Sequence, residues 1–379
     1  MPNSQPEVRV FQDIHEIDPG LWDSLLFEED LQMSHDFVSA CQDSRVADER
    51  FWHLAIYHRG ELQCVTSLSK MNVSVELLSR GMTRAAIRTV RRLLRGFLDV
   101  PVLFCGLPLS FGESCLRIRR GADTERMLCA IASTMEETAG QQNVRLLCFK
   151  EFDDLGAGEV DHIRKMGYIQ APSLPSCCLP VRWKTFDDYV ASTRAGYRRQ
   201  IAATLRRRQE CGLQIRRVGE FGRDVEAIYA LYLEVMDRAP FQLERLNRSF
   251  FDKLDVNLGA RSHALLLEGN GKLLAAAIML TTPSVTNFLL TGIDYSINRE
   301  YQVYPNLILA VVAEAIRVGA PCLEMGQTSY AMKSRIGAEP APRYIYLRHR
   351  GWAAHSFLKR ASRFLFPKTV YPTRRVFRE

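Results

Sequence analysis

The stretch Leu323 to Glu339, LEMGQTSYAMKSRIGAE, starts like a buried strand and then gathers Gln327, Thr328, Ser329, Tyr330, Lys333 and Arg335 into nine residues. Lys333 can supply positive charge to an oxyanion or a phosphate, although a lysine in a loop is commonly just solvated. Gln327 and Thr328 bring an amide and a hydroxyl to the C-terminal end of the strand, where open α/β sheets hold ligands. Of the two, Gln327 is the preferred contact. Tyr301 and Tyr304 precede an apolar helix, and Asp294 follows a strand in TGIDYS, so these three can face the same crevice from its other side. Asp294 is the carboxylate best suited to take a proton, through water. Its other reading is a turn aspartate before Ser296. Arg206, Arg207, Arg299 and Arg335 are candidates for phosphate, whose geometry a guanidinium matches with two parallel hydrogen bonds.

Other chemistries lack their residues. The chain has no GxSxG nucleophile elbow, no HExxH, no GxGxxG after a strand and no paired Cys/His cluster. The ten cysteines form no CxxC pair and lie mostly in apolar strings such as VLFCGL and RLLCFK, as reduced core thiols do. The eight histidines are scattered without metal-ligand spacing. No apolar run approaches the roughly 20 residues of a membrane span. The N-terminus lacks the layout of a secretory signal, which points to the cytoplasm.

The net charge of +7 is unevenly spread. Residues 77–98 hold six arginines and no acid, 194–217 hold eight arginines against Glu210, and 348–379 hold nine basic residues against Glu379. Such concentration is the footprint of a polyanion partner: RNA, a phosphate-bearing coenzyme or an anionic membrane surface. In 77–98, Ile87, Val90, Leu94 and Phe97 share one helical face and Arg84, Arg88, Arg91 and Arg95 the other, so this insertion either packs on its own domain or lies on such a surface.

The elements that must position these residues occur twice. HLAIYHRGELQCVTSL and HALLLEGNGKLLAAAIML each read as strand, glycine-containing turn, strand, and Asn270-Gly271 is a dipeptide of tight hairpins. Each is followed by a strand (PVLFCGLPLS; VTNFLLTGIDYS), a helix (TERMLCAIASTMEETAG; NLILAVVAEAIRVGA) and another strand (VRLLCFKEF; PCLEMGQTS). A glycine and a Pro-containing loop then lead to a last apolar strand in both copies. Between the copies, TFDDYVASTRAGYRRQIAATLRRRQECGL reads as one basic helix, which either staples the halves together or offers a phosphate-binding face.

This order of elements resembles the GNAT acyltransferase superfamily, and more closely its FemAB-like branch, in which two GNAT-type domains are fused. The resemblance rests on the helix Asn306 to Val318, the strand Cys322 to Gly326, Lys333 with the downstream Gly337, and the basic helix YRRQIAATLRRRQECGLQI; it spans about residues 10 to 350. It implies an α/β (α+β) fold of two tandem GNAT-like domains, each a mixed, mostly antiparallel sheet flanked by helices. Residues 1–181 would be the N-terminal domain, 182–217 the basic connecting helix and strand, 218–350 the C-terminal domain with the active site, and 351–379 a basic tail. The implied activity is N-acyl transfer, from aminoacyl-tRNA or acyl-CoA as cosubstrate, to a small-molecule or peptide amine or a hydroxylamine. Direct attack needs a neutral amine, a carbonyl held against it and donors for the oxyanion, with no tightly bound cofactor and no metal. The resemblance implies such a donor role for Lys333. One departure stands out: where CoA-dependent GNAT domains carry an R/Q-x-x-G-x-G/A loop, this chain has NREYQVYPNL, without glycine. That favours the tRNA donor. The competing expectation is a non-catalytic GNAT-like module that binds RNA or anionic membrane through its basic faces.

Overall fold

Both expected hairpins form, and each turns through two residues of positive φ, Arg59 (53°) and Gly60 (79°) in the first, Asn270 (52°) and Gly271 (71°) in the second. Such turns match the twist of the strands they join. The computed structural model describes residues 5–45, 50–74, 99–109, 112–153, 157–239, 244–367 and 371–378. The basic insertion 77–98 lies outside the described residues. The chain divides into two units, each built on one sheet.

Unit 1 contains residues 1–26, 32–174 and 342–369. Its strands are β1 (Glu7–Phe11), β2 (Arg50–His58), β3 (Glu61–Ser74), β4 (Asp99–Cys105), β5 (Leu116–Ile118), β6 (Leu146–Phe152), β7 (Ile169–Pro172) and β15 (Tyr344–His349). They run in the order β1-β2-β3-β4-β6-β15-β7, with β5 also on β3. Helices α1 (Pro19–Asp23), α2 (His35–Asp43), α3 (Thr124–Gln141), α4 (Ala157–Lys165) and α12 (Trp352–Leu365) belong to it. The Asp123 side chain caps α3 by accepting from Arg126 N, and the helix buries Met127, Leu128, Ile131 and Met135 at three- and four-residue spacing.

Unit 2 contains residues 27–31, 175–341 and 370–379. Strands β8 (Ser176–Pro180), β9 (Gln214–Val218), β10 (Ser262–Gly269), β11 (Lys272–Thr281), β12 (Thr286–Ile293), β13 (Cys322–Glu324) and β14 (Glu339–Ala341) run in the order β14-β8-β13-β12-β11-β10-β9. Its helices are α5 (Phe186–Ser192), α6 (Ala195–Glu210), α7 (Val225–Arg238), α8 (Arg248–Leu258), α9 (Asn298–Tyr301), α10 (Val303–Val318) and α11 (Tyr330–Lys333). Eleven of the sixteen residues of α10 are buried, which explains why it is apolar on nearly every face. Helix α7 lies so close to β12 that a Cβ on Gly292 would stand 2.6 Å from Leu231 Cβ and 2.8 Å from Tyr232 N.

Each sheet is mixed and mostly antiparallel, as expected, with one parallel pair, β4 with β6 and β12 with β13. The expected boundaries at 181, 217 and 350 follow chain order, and the structure draws them differently. Strand β8 pairs with β13 and β14 in the second sheet, and β15 pairs with β6 and β7 in the first, so the two units exchange their last strands. The Pro-containing loops before β8 and β15 carry the chain across. Residues 182–217 are part of unit 2, with β9 as an edge strand of its sheet. The basic helix is two helices, because Thr193 turns extended and bridges Phe377. Thr185 and Asp188 start α5 with reciprocal side-chain to backbone hydrogen bonds. Residues 351–379 are likewise divided, α12 in unit 1 and the last residues in unit 2. Cys178 on β8 and Cys322 on β13 are paired as a cross-strand disulfide, where the sequence led to the expectation that most cysteines are reduced core thiols. Cys41, Cys64, Cys105, Cys115, Cys148 and Cys177 are buried and in no disulfide. Burial pushes Cys105 up to about 12 and Cys115 to about 11, which keeps them unreactive.

Candidate functional site

The parallel ladder between β12 and β13 consists of only two pairs, Thr286 with Leu323 and Asn287 with Glu324. Beyond it β13 follows β8 instead: Met325 N donates to Cys177 O at 2.8 Å, and Cys177 N to Gly326 O at 3.1 Å. Strand β12 continues along β11 with a bulge, since Ile278 faces Leu290 while Met279 faces Phe288, leaving Leu289 without an opposite residue. A wedge therefore opens between the strand ends, and a bulged backbone lies on its wall. Leu289, Leu290 and Thr291 are all half-exposed, where a strand covered on one face would alternate. Bulges redirect backbone groups and recur beside active sites.

Lys333 is bonded to the backbone just beyond β13. Its side chain is 2% exposed, and Nζ donates to Met325 O and, at 3.2 Å, to Gly326 O. Burial lowers its pKa to about 8, against the opposing pull of Cys177 and Glu324. The ammonium thus fixes the backbone from which Gln327 departs. The turn that carries Lys333 is itself held: Tyr189 Oη donates to Ile336 O at 3.0 Å, and Gly337 has φ 92° with the Phe377 ring over the place a Cβ would fill. That accounts physically for the downstream glycine.

On the opposite wall, Tyr304 at the start of α10 hydrogen-bonds Ser329, and burial pushes its phenol up to about 12. This bond brings Tyr304 to the Gln327–Ser329 segment. Gln327 is 7% exposed, while Thr328 and Ser329 are exposed. Tyr301 packs on the core that Tyr304 and Tyr330 also line. Tyr330 faces another way, donating to Pro175 O at 2.9 Å and packing on Tyr371 with the rings tilted by 53°. Asp294 forms the turn of its alternative reading, with Oδ1 accepting from Ser296 N at 2.8 Å and Ser296 Oγ at 2.5 Å. Arg335 and Arg299 are exposed. On α6, Arg206 is exposed and Arg207 Nε donates to Glu300 O at 2.9 Å, while Thr204 Oγ1 donates to Gln302 Oε1 at 2.8 Å. The basic helix is thereby fastened beside the start of α10.

That helix start is already occupied from within. Tyr304 N donates to Asn298 Oδ1 at 2.9 Å, Pro305 has no N–H, and Asn306 N donates to Gln302 O at 3.0 Å. Sequence reading missed Asn298 and the bulge, and gave Ser329 no role beyond membership of the polar cluster. The signal for the bulge was the run Phe288-Leu289-Leu290, which breaks the alternation of its strand. A surface depression of about 370 Å³ in unit 1, lined by His58, Arg59, Asp123 and Arg126 among others, contains none of the candidates.

Residues 13–286 match the FemAB-like family, described as peptidoglycan biosynthesis or recognition. The chain belongs to this family. The matched span of this FemAB-like chain includes Arg206 and Arg207 and stops before Asp294. Its fold is similar to that of FemX (TM-score 0.59, 12% identity, covering 90% of this chain and 98% of that one). It is also similar to a tandem GNAT protein from the clavulanic acid biosynthesis pathway, solved without acetyl-CoA (TM-score 0.54, 12% identity, 92% and 99%). A conserved protein of unknown function from Bacteroides thetaiotaomicron shares it too (TM-score 0.52, 10% identity, 90% and 99%). No curated protein sequence matches. The fold of this FemAB-like chain is thus the tandem GNAT arrangement expected from the sequence.

Proposed function

We propose that this FemAB-like chain is an N-acyltransferase that takes an aminoacyl group from aminoacyl-tRNA and passes it to a peptide amine at the wedge of unit 2. The observation that carries the reading is the bulge at Leu289, at the point where β12 and β13 part. A bulged strand edge offers backbone N–H groups to a carbonyl oxygen, and donors fixed beforehand stabilise the oxyanion of the tetrahedral intermediate. The amine attacks the ester carbonyl, the new C–N bond forms, and the C–O bond to the ribose breaks. The amine's proton passes through water to the departing ribose hydroxyl; Asp294, roughly 16 Å along β12 from Leu289, holds the turn at the end of the strand through Ser296. Lys333 acts as a positioning residue, holding Met325 and Gly326 so that Gln327 faces the carbonyl from the other wall. Tyr304 and Ser329 close the inner end, Tyr301 flanks them, and Thr328 lies at the rim. Tyr330 supports the turn.

The state of the α10 start supports the tRNA donor over acyl-CoA. A pyrophosphate bound at a helix N-terminus needs available amides, and here the first turn is spent on Asn298, Pro305 and Gln302. The side chains Arg206, Arg207, Arg299 and Arg335 are then the groups for phosphate, and they suit the spread charges of a nucleic acid backbone. The family description supports a cell-wall precursor peptide as the acceptor. The test is to incubate the full chain with charged tRNA or with a panel of acyl-CoA thioesters, in the presence of lysine-containing stem peptides, and to read products by mass spectrometry. The expected product is a peptide heavier by one aminoacyl residue, formed from tRNA alone. Product from acyl-CoA only would overturn the donor, and no product with any donor would overturn the activity.

A further inference from the structure

Helix α12 (Trp352–Leu365) has no buried residue, although it rests on β15 and β7 of unit 1. Its half-buried Leu358 and Leu365, one heptad apart, form the seam toward the sheet. A second apolar pair lies about 100° around the helix from that seam. Phe357 is 67% exposed and Phe364 88%, also a heptad apart, while Trp352, in the first turn and about 120–140° around from the pair, is 82% exposed. Among the described residues only Val256 comes near them in exposure for a large apolar side chain. The same helix carries Lys359, Arg360 and Arg363, all exposed, and no acidic residue. Arg360 lies three residues after Phe357 and four before Phe364, so it borders the aromatic stripe.

We propose that this outer face docks on the surface of an anionic lipid bilayer. The two phenylalanines enter the acyl boundary, Trp352 sits at headgroup level, and the three cations meet lipid phosphate. Charge decides against the other occupants of an apolar stripe. A second copy of the chain, related by a two-fold axis through this face, would set three cations against three cations with no acid on either helix. A nucleic acid would leave two aliphatic-depth phenylalanine side chains against a phosphate backbone, whereas a bilayer satisfies both the apolar stripe and its basic border. The docking face belongs to unit 1 and stands whether or not acyl transfer occurs in unit 2.

The test uses the full chain with unilamellar vesicles of phosphatidylcholine, alone or mixed with phosphatidylglycerol. Co-sedimentation is expected with the mixed vesicles only, weakening as salt is raised. Neutralising the cations (Lys359→Gln, Arg360→Gln, Arg363→Gln) is expected to lower partitioning about 100-fold, at about fivefold for each charge. The pair Phe357→Ser and Phe364→Ser is expected to lower it by a similar, roughly 100-fold, factor without disturbing the fold, because both rings are already in solvent. Trp352 is the exposed tryptophan, Trp22 and Trp52 being buried and Trp183 half-buried, so brominated phosphatidylglycerol is expected to quench wild-type fluorescence far more than that of Trp352→Phe. Equal binding to both vesicle types, or binding indifferent to the phenylalanine pair, overturns the proposal. So does a self-association by sedimentation velocity, or a tRNA affinity, that the phenylalanine pair abolishes while vesicle binding is unchanged.

Discussion

The two parallel strand pairs of this protein begin alike and end differently. In unit 1 the ladder of β4 with β6 runs for four pairs, Val102–Cys105 with Leu146–Phe149, and β4 keeps unbroken register with β3. Where the strands would part, Lys150 fills the gap. It is 2% exposed, its stem lies against Gly106, and Nζ donates to the carbonyls of Leu107 at 2.9 Å, Pro108 at 3.4 Å and Leu109 at 2.9 Å. The neighbouring Glu151, at φ 65°, accepts from Gly112 N at 3.1 Å, and Arg343 donates to Gly112 O. In unit 2 the ladder stops after two pairs, β12 is bulged, and Lys333 of α11 is bonded to the carbonyls just past β13. One buried lysine closes a wedge and the other holds a wedge open. A duplicated fold thus sets its halves apart by where one ammonium finds its carbonyls, and under the proposed function unit 2 is the half that reacts.

Exchanging each lysine for methionine breaks the comparison most sharply. Lys333→Met frees the Met325–Gly326 wall, and a misplacement on the order of 1 Å costs about 100-fold in turnover. Lys150→Met is expected to leave turnover of the folded enzyme within about twofold while destabilising it by about 1–3 kcal/mol, because three buried carbonyls lose their donor. Turnover and urea unfolding of both variants measure this, and equal loss of turnover in the two would sink the division of roles. The pH dependence sharpens it. Lys333 titrates at about 8 in the folded protein against an ordinary 10.5, so between those values the unfolded chain holds a proton that the folded chain has released. Wild type should therefore gain stability relative to Lys333→Met as pH rises from about 8 to 10.5. A parallel pair of stability curves across that window would contradict the burial of the ammonium.

Much of this contrast was legible in residue order. The hairpins announced themselves through Asn270-Gly271 and the alternation on either side, and the repeat of strand, helix, strand located the end of β13 as the polar end of unit 2. Strand exchange was not legible, because the alternation in SCCLP or YIYLRH states which face is buried and says nothing of which sheet covers it. Nor does a sequence reveal which way Lys333 points. That depends on the left-handed Ser329, on Gly337 beneath Phe377, and on Tyr189 reaching from 147 residues away. Asp294 and Lys333 both carried two readings from sequence, and for each the backbone partner is the new information.

The crossover helices supply the finer test. Glu314 of α10 is 6% exposed and lies 2.8 Å from Arg217 of β9, 2.8 Å from Arg317 and 2.9 Å from His263 Nε2 of β10. Its counterpart on α3, Glu136, keeps 29% of its side chain exposed and meets Arg350 at 2.8 Å and Arg348 at 3.6 Å. Both glutamates tie arginines on or beside a strand to the helix, and they differ in burial and in the number of partners. Burial alone would raise the Glu314 carboxyl, but hydrogen bonds from Arg317, His263 and Arg217 outweigh it and hold the group well below its ordinary 4.5. A carboxylate held low contributes stability that is complete above about pH 4.5 and is lost as pH falls toward the folded value. Glu314→Gln is expected to cost about 1–3 kcal/mol at pH 7, since the bonds lost are charge-assisted. That difference from wild type should shrink as pH drops below 4.5. Glu136→Gln, whose ion pairs are open to solvent, is expected to cost at most about 0.5 kcal/mol. Urea midpoints at pH 7 and pH 4 distinguish the two. If Glu136→Gln costs as much as Glu314→Gln, the helix of unit 1 is anchored as firmly as that of unit 2, and the greater need to brace a strand pair held by only two ladder rungs disappears with it.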